Sequence, residues 1–346
     1  MIQRLFPLLC ICFFLGCGRD SGESASSVSS RDGRVPTSVE TKVKVERVVS
    51  LSPAVTDLLL AMNGRDVLVG VSHFDRGAEL EGLPRVGDYE TVDWERMSVL
   101  KPQVIFVQMK PSRVPPTMVE RAESIGARVV ALQIERLTDI VIELDRVGRE
   151  IGRTEDARAA VAEMREGWES LRSQATPAAG ADVGGGANES KTSTLILTGV
   201  DGLPAAGRET FLSDALELVG GRNALGNRKG YVSLDRELLI GSAPEAIVVL
   251  LPEATDAQRA ELNRLLESMP AVPAIRDGRV LVMTESWVLR PGPRIGELAR
   301  RMGELIARGE SREGPPTETN QVADRDDAAG GDRNARDADG VREAKP

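Results

Sequence analysis

The residues in this chain with the most chemistry to offer come in matched pairs. Tyr89 and Tyr231 are its only tyrosines, and each opens the same pattern: Tyr89-x3-Asp93-x-Glu95 and Tyr231-x3-Asp235-x-Glu237. Each run then reaches a proline and an apolar stretch, Pro102 to Val107 and Pro244 to Val249. A solenoid needs three or more short units, so a pattern repeated once suggests two similar lobes. Two tyrosines facing one another across a crevice would make an aromatic clamp with polar tips; the plainer reading of each is a half-buried ring. Asp93 and Asp235 suit helix N-caps. Glu95 and Glu237 then fall in first turns, where negative charge meets the positive end of the helix dipole. Capping explains either glutamate alone. Together they offer one carboxylate per lobe to arginines of a two-fold partner.

His73 is the only histidine. It follows an apolar run, and either satisfies a local hydrogen bond or serves as an axial ligand to cobalt or haem iron. Trp287, ahead of Pro291-Gly292-Pro293-Arg294, is a candidate further wall of the crevice. One histidine argues against His-rich zinc sites and against a His-based triad. No GxSxG, Walker or GxGxxG sequence occurs. Glycosidase chemistry would place both carboxylates in one pocket, whereas these glutamates open helices in separate lobes. No catalytic residue, resident metal or cofactor is therefore assigned. A net charge of −9 with no basic stripe excludes nucleic acid as an expected partner.

The elements that must position these groups alternate between strand and helix. Apolar runs at 47–51, 67–71, 103–108 and 128–132 read as strands, and the intervening segments as helices, with Ser52 as an N-cap and Pro53 at the first helical position. A second series follows, with strands at 194–198, 246–251 and 280–283 and a final helix opening at Pro293. Such alternation predicts mainly parallel sheets covered on both faces. Between the two series, Ala157, Val161, Met164, Trp168 and Leu171 recur at helical spacing, giving a helix with one apolar stripe. Tyr89 and Tyr231 should sit in loops at the carboxyl ends of strands, where α/β lobes bind ligands.

The chain's beginning and end read differently. Arg4, an apolar run from Leu5 to Leu15, and Gly16-Cys17 form an export signal. Phe14-Leu15-Gly16-Cys17 resembles a bacterial lipobox, which implies cleavage before Cys17 and lipidation of it. All three cysteines lie at or before position 17, so the mature fold has no disulfide. The expected organisation is a signal peptide over 1–17, a flexible tether over 18–44 and an N-terminal α/β lobe over 45–153. A connecting helix over 154–174, a flexible loop over 175–192, a C-terminal α/β lobe over 193–309 and a disordered tail over 310–346 complete it.

These residues as a set resemble the helical-backbone class of periplasmic binding proteins for vitamin B12, ferric siderophores and haem. The resemblance spans about Glu46 to Arg308. It rests on Arg47-Val48-Val49-Ser50-Leu51-Ser52-Pro53-Ala54, Val69-Gly70-Val71-Ser72, and Trp94-Glu95-Arg96 through Leu100-Lys101-Pro102. It continues in Gly220-Gly221-Arg222-Asn223, in Asp235-Arg236-Glu237 through Val248, and in Trp287 with Pro293-Arg294. It implies two Rossmann-like lobes joined by one rigid long helix, with ligand held between them. It implies that Glu95 and Glu237 dock on the arginines of an ABC permease dimer served by its ATPase. The resemblance is strongest to cobalamin-binding members, which implies that Phe74, Tyr89, Tyr231 and Trp287 line the cleft. Gln108 stands where a cleft tryptophan is expected, and Asp75-Arg76-Gly77 replaces an aspartate-tyrosine-proline run. The expected protein is a monomeric, lipid-anchored periplasmic component that captures a corrinoid for import. The alternatives are an iron-chelate or haem binder, with His73 or a tyrosine on the iron, and a sensor or scaffold lipoprotein without transport.

Overall fold

The structure, a computed structural model, describes residues 44–175 and 191–310. The expected signal peptide with Cys17, nearly all of the expected tether and tail, and most of the expected loop over 175–192 fall on residues 1–43, 176–190 and 311–346, which lie outside the described residues.

The first sheet contains β1 (Val48–Ser50), β2 (Leu68–Gly70), β3 (Val104–Gln108) and β4 (Arg128–Leu132), all parallel in the order β2-β1-β3-β4. Helices α1 (Pro53–Ala61), α2 (Trp94–Leu100) and α3 (Pro116–Ser124) connect them. Val104 to Val107 are fully buried, as expected of a strand covered on both faces. Helix α4 (Leu137–Glu150) follows, and then the long helix α5 (Thr154–Ala175).

The second sheet contains β5 (Ser193–Leu197), β6 (Pro204–Ala206), β7 (Arg222–Asn223), β8 (Tyr231–Ser233), β9 (Ala246–Leu250) and β10 (Val280–Met283). Its main order is β10-β9-β5-β6-β8, with β7 paired to β5. Helices α6 (Phe211–Leu218), α7 (Arg236–Gly241), α8 (Asp256–Glu267), α9 (Pro273–Arg276) and α10 (Ile295–Glu310) pack around it. This sheet is mixed, because β6 runs antiparallel to both β5 and β8. The sequence reading missed β6, β7 and β8, since strands of two or three residues are too short to show an alternating pattern. Tyr231 consequently stands on an edge strand rather than in a loop. Two further corrections concern helix starts. The Ser52 hydroxyl accepts no capping N–H and instead donates to Gln108 Oε1 at 2.8 Å. The last helix begins at Ile295, two residues beyond Pro293.

Helix α5 joins the sheets through its single stripe. Ala157 and Met164 are buried, and Val161, Trp168 and Leu171 pack against the same core. That core runs without a break from Leu144 and Val147 of α4 to Leu216 of α6 and Met302 of α10. Close approach of α4 to α5 requires Gly148, where a Cβ would stand 2.3 Å from that of Ala157. An ion pair adds direction to this packing. The Arg136 guanidinium forks onto Asp214 of α6, with Nε 3.0 and 2.8 Å from its two oxygens and Nη2 at 2.6 Å. Asp214 Oδ2 also accepts the Leu137 N–H at 3.0 Å, an otherwise orphan donor at the start of α4. Asp214 thus ties the helix that leaves the first sheet to a helix of the second. Asp214→Ala should cost about 1–3 kcal/mol, the range for charge-assisted hydrogen bonds with one partner partly exposed. A lower urea midpoint would register it.

Candidate functional site

In α/β sheets, ligands gather at the carboxyl ends of strands. Here those ends of the two sheets meet. Arg76, in the loop after β2, stands 3.8 Å from Glu253, in the loop after β9. Arg290, between β10 and α10, stands 3.7 Å from Asp57 of α1. The candidate site is the space bounded by these loops.

On the first lobe, the chain after β2 and the turn around Tyr89 hold each other in place. The His73 N–H donates to the Gly87 carbonyl at 3.1 Å. Asp88 then organises the turn: its Oδ1 accepts the N–H groups of Glu90 and Thr91, each at 2.8 Å, and its own N–H donates to the Thr91 carbonyl. Gly87 has a φ of 97°, and a Cβ there would stand 1.9 Å from the Thr91 oxygen, so only glycine allows this closure. The result presents Phe74 and Tyr89 as exposed rings on one rim, with His73 exposed beside them. Next to Tyr89 lies a hollow of ≈ 580 Å³ walled by Gln108, Met109, Lys110, Arg113, Leu132 and Ile134, among others. Lys110 is paired with Glu135 at 2.8 Å, and Gln108 is oriented by the Ser52 hydroxyl.

On the second lobe, Tyr231 lies on β8 opposite Ala206. Phe74, Tyr89 and Tyr231 are 58%, 47% and 56% exposed, unusual for rings of this size. Desolvation pushes the Tyr231 phenol up to about 12 although more than half of its surface stays open. Trp287 differs from the other candidates. It is half-buried, with the guanidinium groups of Arg294 and Arg301 over its ring at 5.7 and 5.9 Å. Arg301 is held in turn by Glu285 and Glu297. Part of the ring expected to face a ligand therefore already carries cations.

Glu95 and Glu237 are exposed in the first turns of α2 and α7. Their caps match the sequence reading: Asp93 accepts the Arg96 N–H at 2.9 Å, and Asp235 accepts the Leu238 N–H at 2.6 Å. Among the described residues, neither glutamate side chain has a hydrogen bond or ion pair. No group of three or more His, Cys, Asp or Glu is placed among them to hold a metal ion.

The sequence reading missed the acidic groups in the seam. Asp75 is 1% exposed; its Oδ2 accepts the Ser72 N–H at 2.8 Å, while Oδ1 is buried without a hydrogen-bond partner. Burial pushes the Asp75 carboxyl above its ordinary range, although the nearby Ser72 and Thr56 hydroxyls and the Arg290 charge pull it down. Burial does the same to Asp57, against Arg290 and Arg294, and the charge of Asp75 adds to the rise. The available signal was Asp57 itself, a charge inside the apolar run Ala54 to Met62 that had to find a partner. A carboxyl with a raised folded-state pKa favours folding below its unfolded pKa, and that contribution is lost as pH rises through the folded value. Asp75→Asn should therefore raise the thermal midpoint at pH 7.5. The gain should shrink as pH is lowered through the acid range, which calorimetry at several pH values would read.

Comparison with known proteins places this geometry. A sequence model described as periplasmic binding protein matches residues 48–286. An uncharacterized ABC transporter substrate-binding lipoprotein, YvrC, from Bacillus subtilis (strain 168) is 21% identical over 309 residues, covering 86% of this chain and 94% of its own. A vitamin B12-binding protein from Yersinia pestis (strain Pestoides F) is 25% identical over 264 residues, covering 76% and 86%. The crystal structure of a periplasmic heme binding protein from Pseudomonas aeruginosa superposes with a TM-score of 0.63 at 25% identity, covering 76% of this chain and 92% of its own.

Proposed function

Because the chain belongs to the periplasmic binding protein family, we propose that it captures a corrinoid between its two lobes and delivers it to an ABC permease. The observation that carries the ligand assignment is the set of exposed rings, Phe74 and Tyr89 on one lobe and Tyr231 on the other. Large flat ligands bind by apolar stacking, with a few polar groups fixing orientation. The Tyr231 phenol can donate its O–H to amide groups around a corrin. The similarity to a vitamin B12-binding protein supports the same choice. Haem is the second reading. It is favoured by His73 and Tyr89, potential iron ligands on one rim, and by the similarity to a heme-binding protein.

Delivery would use the unpaired carboxylates. Glu95 and Glu237 stand at equivalent positions of the repeat, free to meet cations on a two-fold permease. Anchoring through a lipidated Cys17 would hold the protein at the membrane facing the periplasm.

Titration of the protein with cyanocobalamin, hemin and a ferric hydroxamate, followed by tryptophan fluorescence and calorimetry, tests the ligand. Saturable binding of cyanocobalamin alone is expected; binding of hemin alone would transfer the function to haem uptake. Tyr89→Ala and Tyr231→Ala should each weaken cyanocobalamin binding about 2- to 10-fold, the range for a lost aromatic contact. Glu95→Gln with Glu237→Gln should leave that affinity unchanged. A large loss there would put the carboxylates in the cleft and defeat the docking assignment.

A further inference from the structure

A hollow of ≈ 410 Å³ opens on the second lobe beside the amino end of β5. The candidate cleft lies at the other end of that strand. Three exposed cations from separate segments line the hollow: Lys191 ahead of β5, Arg208 after β6 and Arg222 on β7. The backbone fixes where they start. The Arg222 N–H donates to the Thr192 carbonyl at 3.0 Å, which sets β7 beside Lys191. Buried Asn223 then ties β7 to β6, its Nδ2 donating to the Ala206 carbonyl at 2.9 Å. The Arg208 N–H donates to the Arg228 carbonyl at 2.8 Å, and a Cβ on Gly207 would stand 2.4 Å from that same oxygen. The three side chains thus leave a fixed frame, which lowers the ordering cost of binding.

Their charges are not balanced. Carboxylates are in excess in this chain, 53 acidic against 44 basic side chains. Yet among the described residues none of these three cations makes an ion pair. The acids nearest Arg208 in sequence are spent elsewhere: Glu209 pairs with Lys229 at 2.5 Å, and Asp214 with Arg136. Arg208 itself meets only the neutral Asn227 Oδ1, at 3.2 Å. Glu217 is the one carboxylate lining the hollow.

We infer that this hollow is a second binding site, for a phosphomonoester carried on a small organic body, with Arg208, Arg222 and Lys191 as the partners of the phosphate. Guanidinium forks match the oxygens of phosphate, and a doubly charged group answers three cations better than a single carboxylate does. The volume falls within the range of about 300–1,000 Å³ for small-molecule sites, more than a bare oxyanion needs. The same chemistry is available from a soluble ester such as glycerol 3-phosphate and from the headgroup of phosphatidic acid.

Calorimetry of the full chain with glycerol 3-phosphate, at matched ionic strength in chloride, is the test. Saturable binding is expected. Arg222→Gln and, separately, Lys191→Gln should each weaken it about tenfold. Glu217→Gln removes an opposing charge and should tighten it about fivefold. All three substitutions are at exposed positions at the far end of β5 from the cleft, so cyanocobalamin affinity should stay at the wild-type value. Hydrogen exchange of the full chain on phosphatidylcholine vesicles, with and without phosphatidic acid, reads the other source. Slowed exchange around 207–209 and 221–230 with phosphatidic acid, without binding of the soluble ester, would assign the phosphate to lipid. No response to either source would overturn the site. So would glycerol 3-phosphate binding that Arg222→Gln and Lys191→Gln leave unchanged, or that Glu217→Gln weakens.

Discussion

The arrangement depends on one shared helical layer. Helix α5 offers a single apolar stripe, and that stripe contacts elements from both lobes, α4 on one side and α6 and α10 on the other. Burial of Met164 and packing of Trp168 therefore stabilise the junction rather than either sheet alone. The bidentate Arg136–Asp214 pair adds geometry, since a planar fork on a carboxylate fixes angle as well as distance. Together they make the separation between the lobes a property of a packed core. Packed cores resist continuous deformation, so the space between the sheets is set before a ligand arrives.

With the junction fixed, parallel strands do the rest. The carboxyl ends of the two sheets face each other; the loops that leave them carry Phe74, Tyr89, the Arg76–Glu253 contact and Arg290, which meets Asp57 of α1, while Tyr231 stands on the edge strand β8. A flat apolar ligand needs rings held open to solvent, and the Asp88 turn achieves this for Tyr89 by satisfying its backbone locally instead of by burying the ring. The seam behind the cleft has the opposite character. It places Asp57 and the partly unsatisfied Asp75 in low-dielectric surroundings, compensated by a single guanidinium in ion-pair range of Asp57. Such a group is costly unless paired, which makes the seam, rather than the cleft wall, the electrostatically sensitive part of the site.

Much of this was legible from periodicity and repetition. Buried parallel strands announce themselves as apolar runs, and the spacing of Ala157, Val161, Met164, Trp168 and Leu171 specified one helix with one sticky face. The N-caps at Asp93 and Asp235 followed from residue type and position alone. What could not be read were features that depend on distant partners. Ser52 looks like a cap in sequence, yet its hydroxyl finds Gln108, 56 residues away. Strands β6 and β8 are three residues each, and only their pairing makes them strands. Trp287 suggested an open cleft wall, but arginines from the following helix and its approach lie over its ring. The Asp57–Arg290 pair joins the first helix to a loop more than two hundred residues later, and no local pattern encodes it.

The central claim is that ligand occupies the space between the carboxyl ends of the two sheets, against rings from both lobes. Hydrogen–deuterium exchange with and without saturating cyanocobalamin measures this directly. The account predicts slowed exchange in the segments around 72–76, 87–92 and 229–233, with α5 unchanged because the junction does not move. Protection confined to one lobe, or none in these segments despite saturable binding, would contradict it.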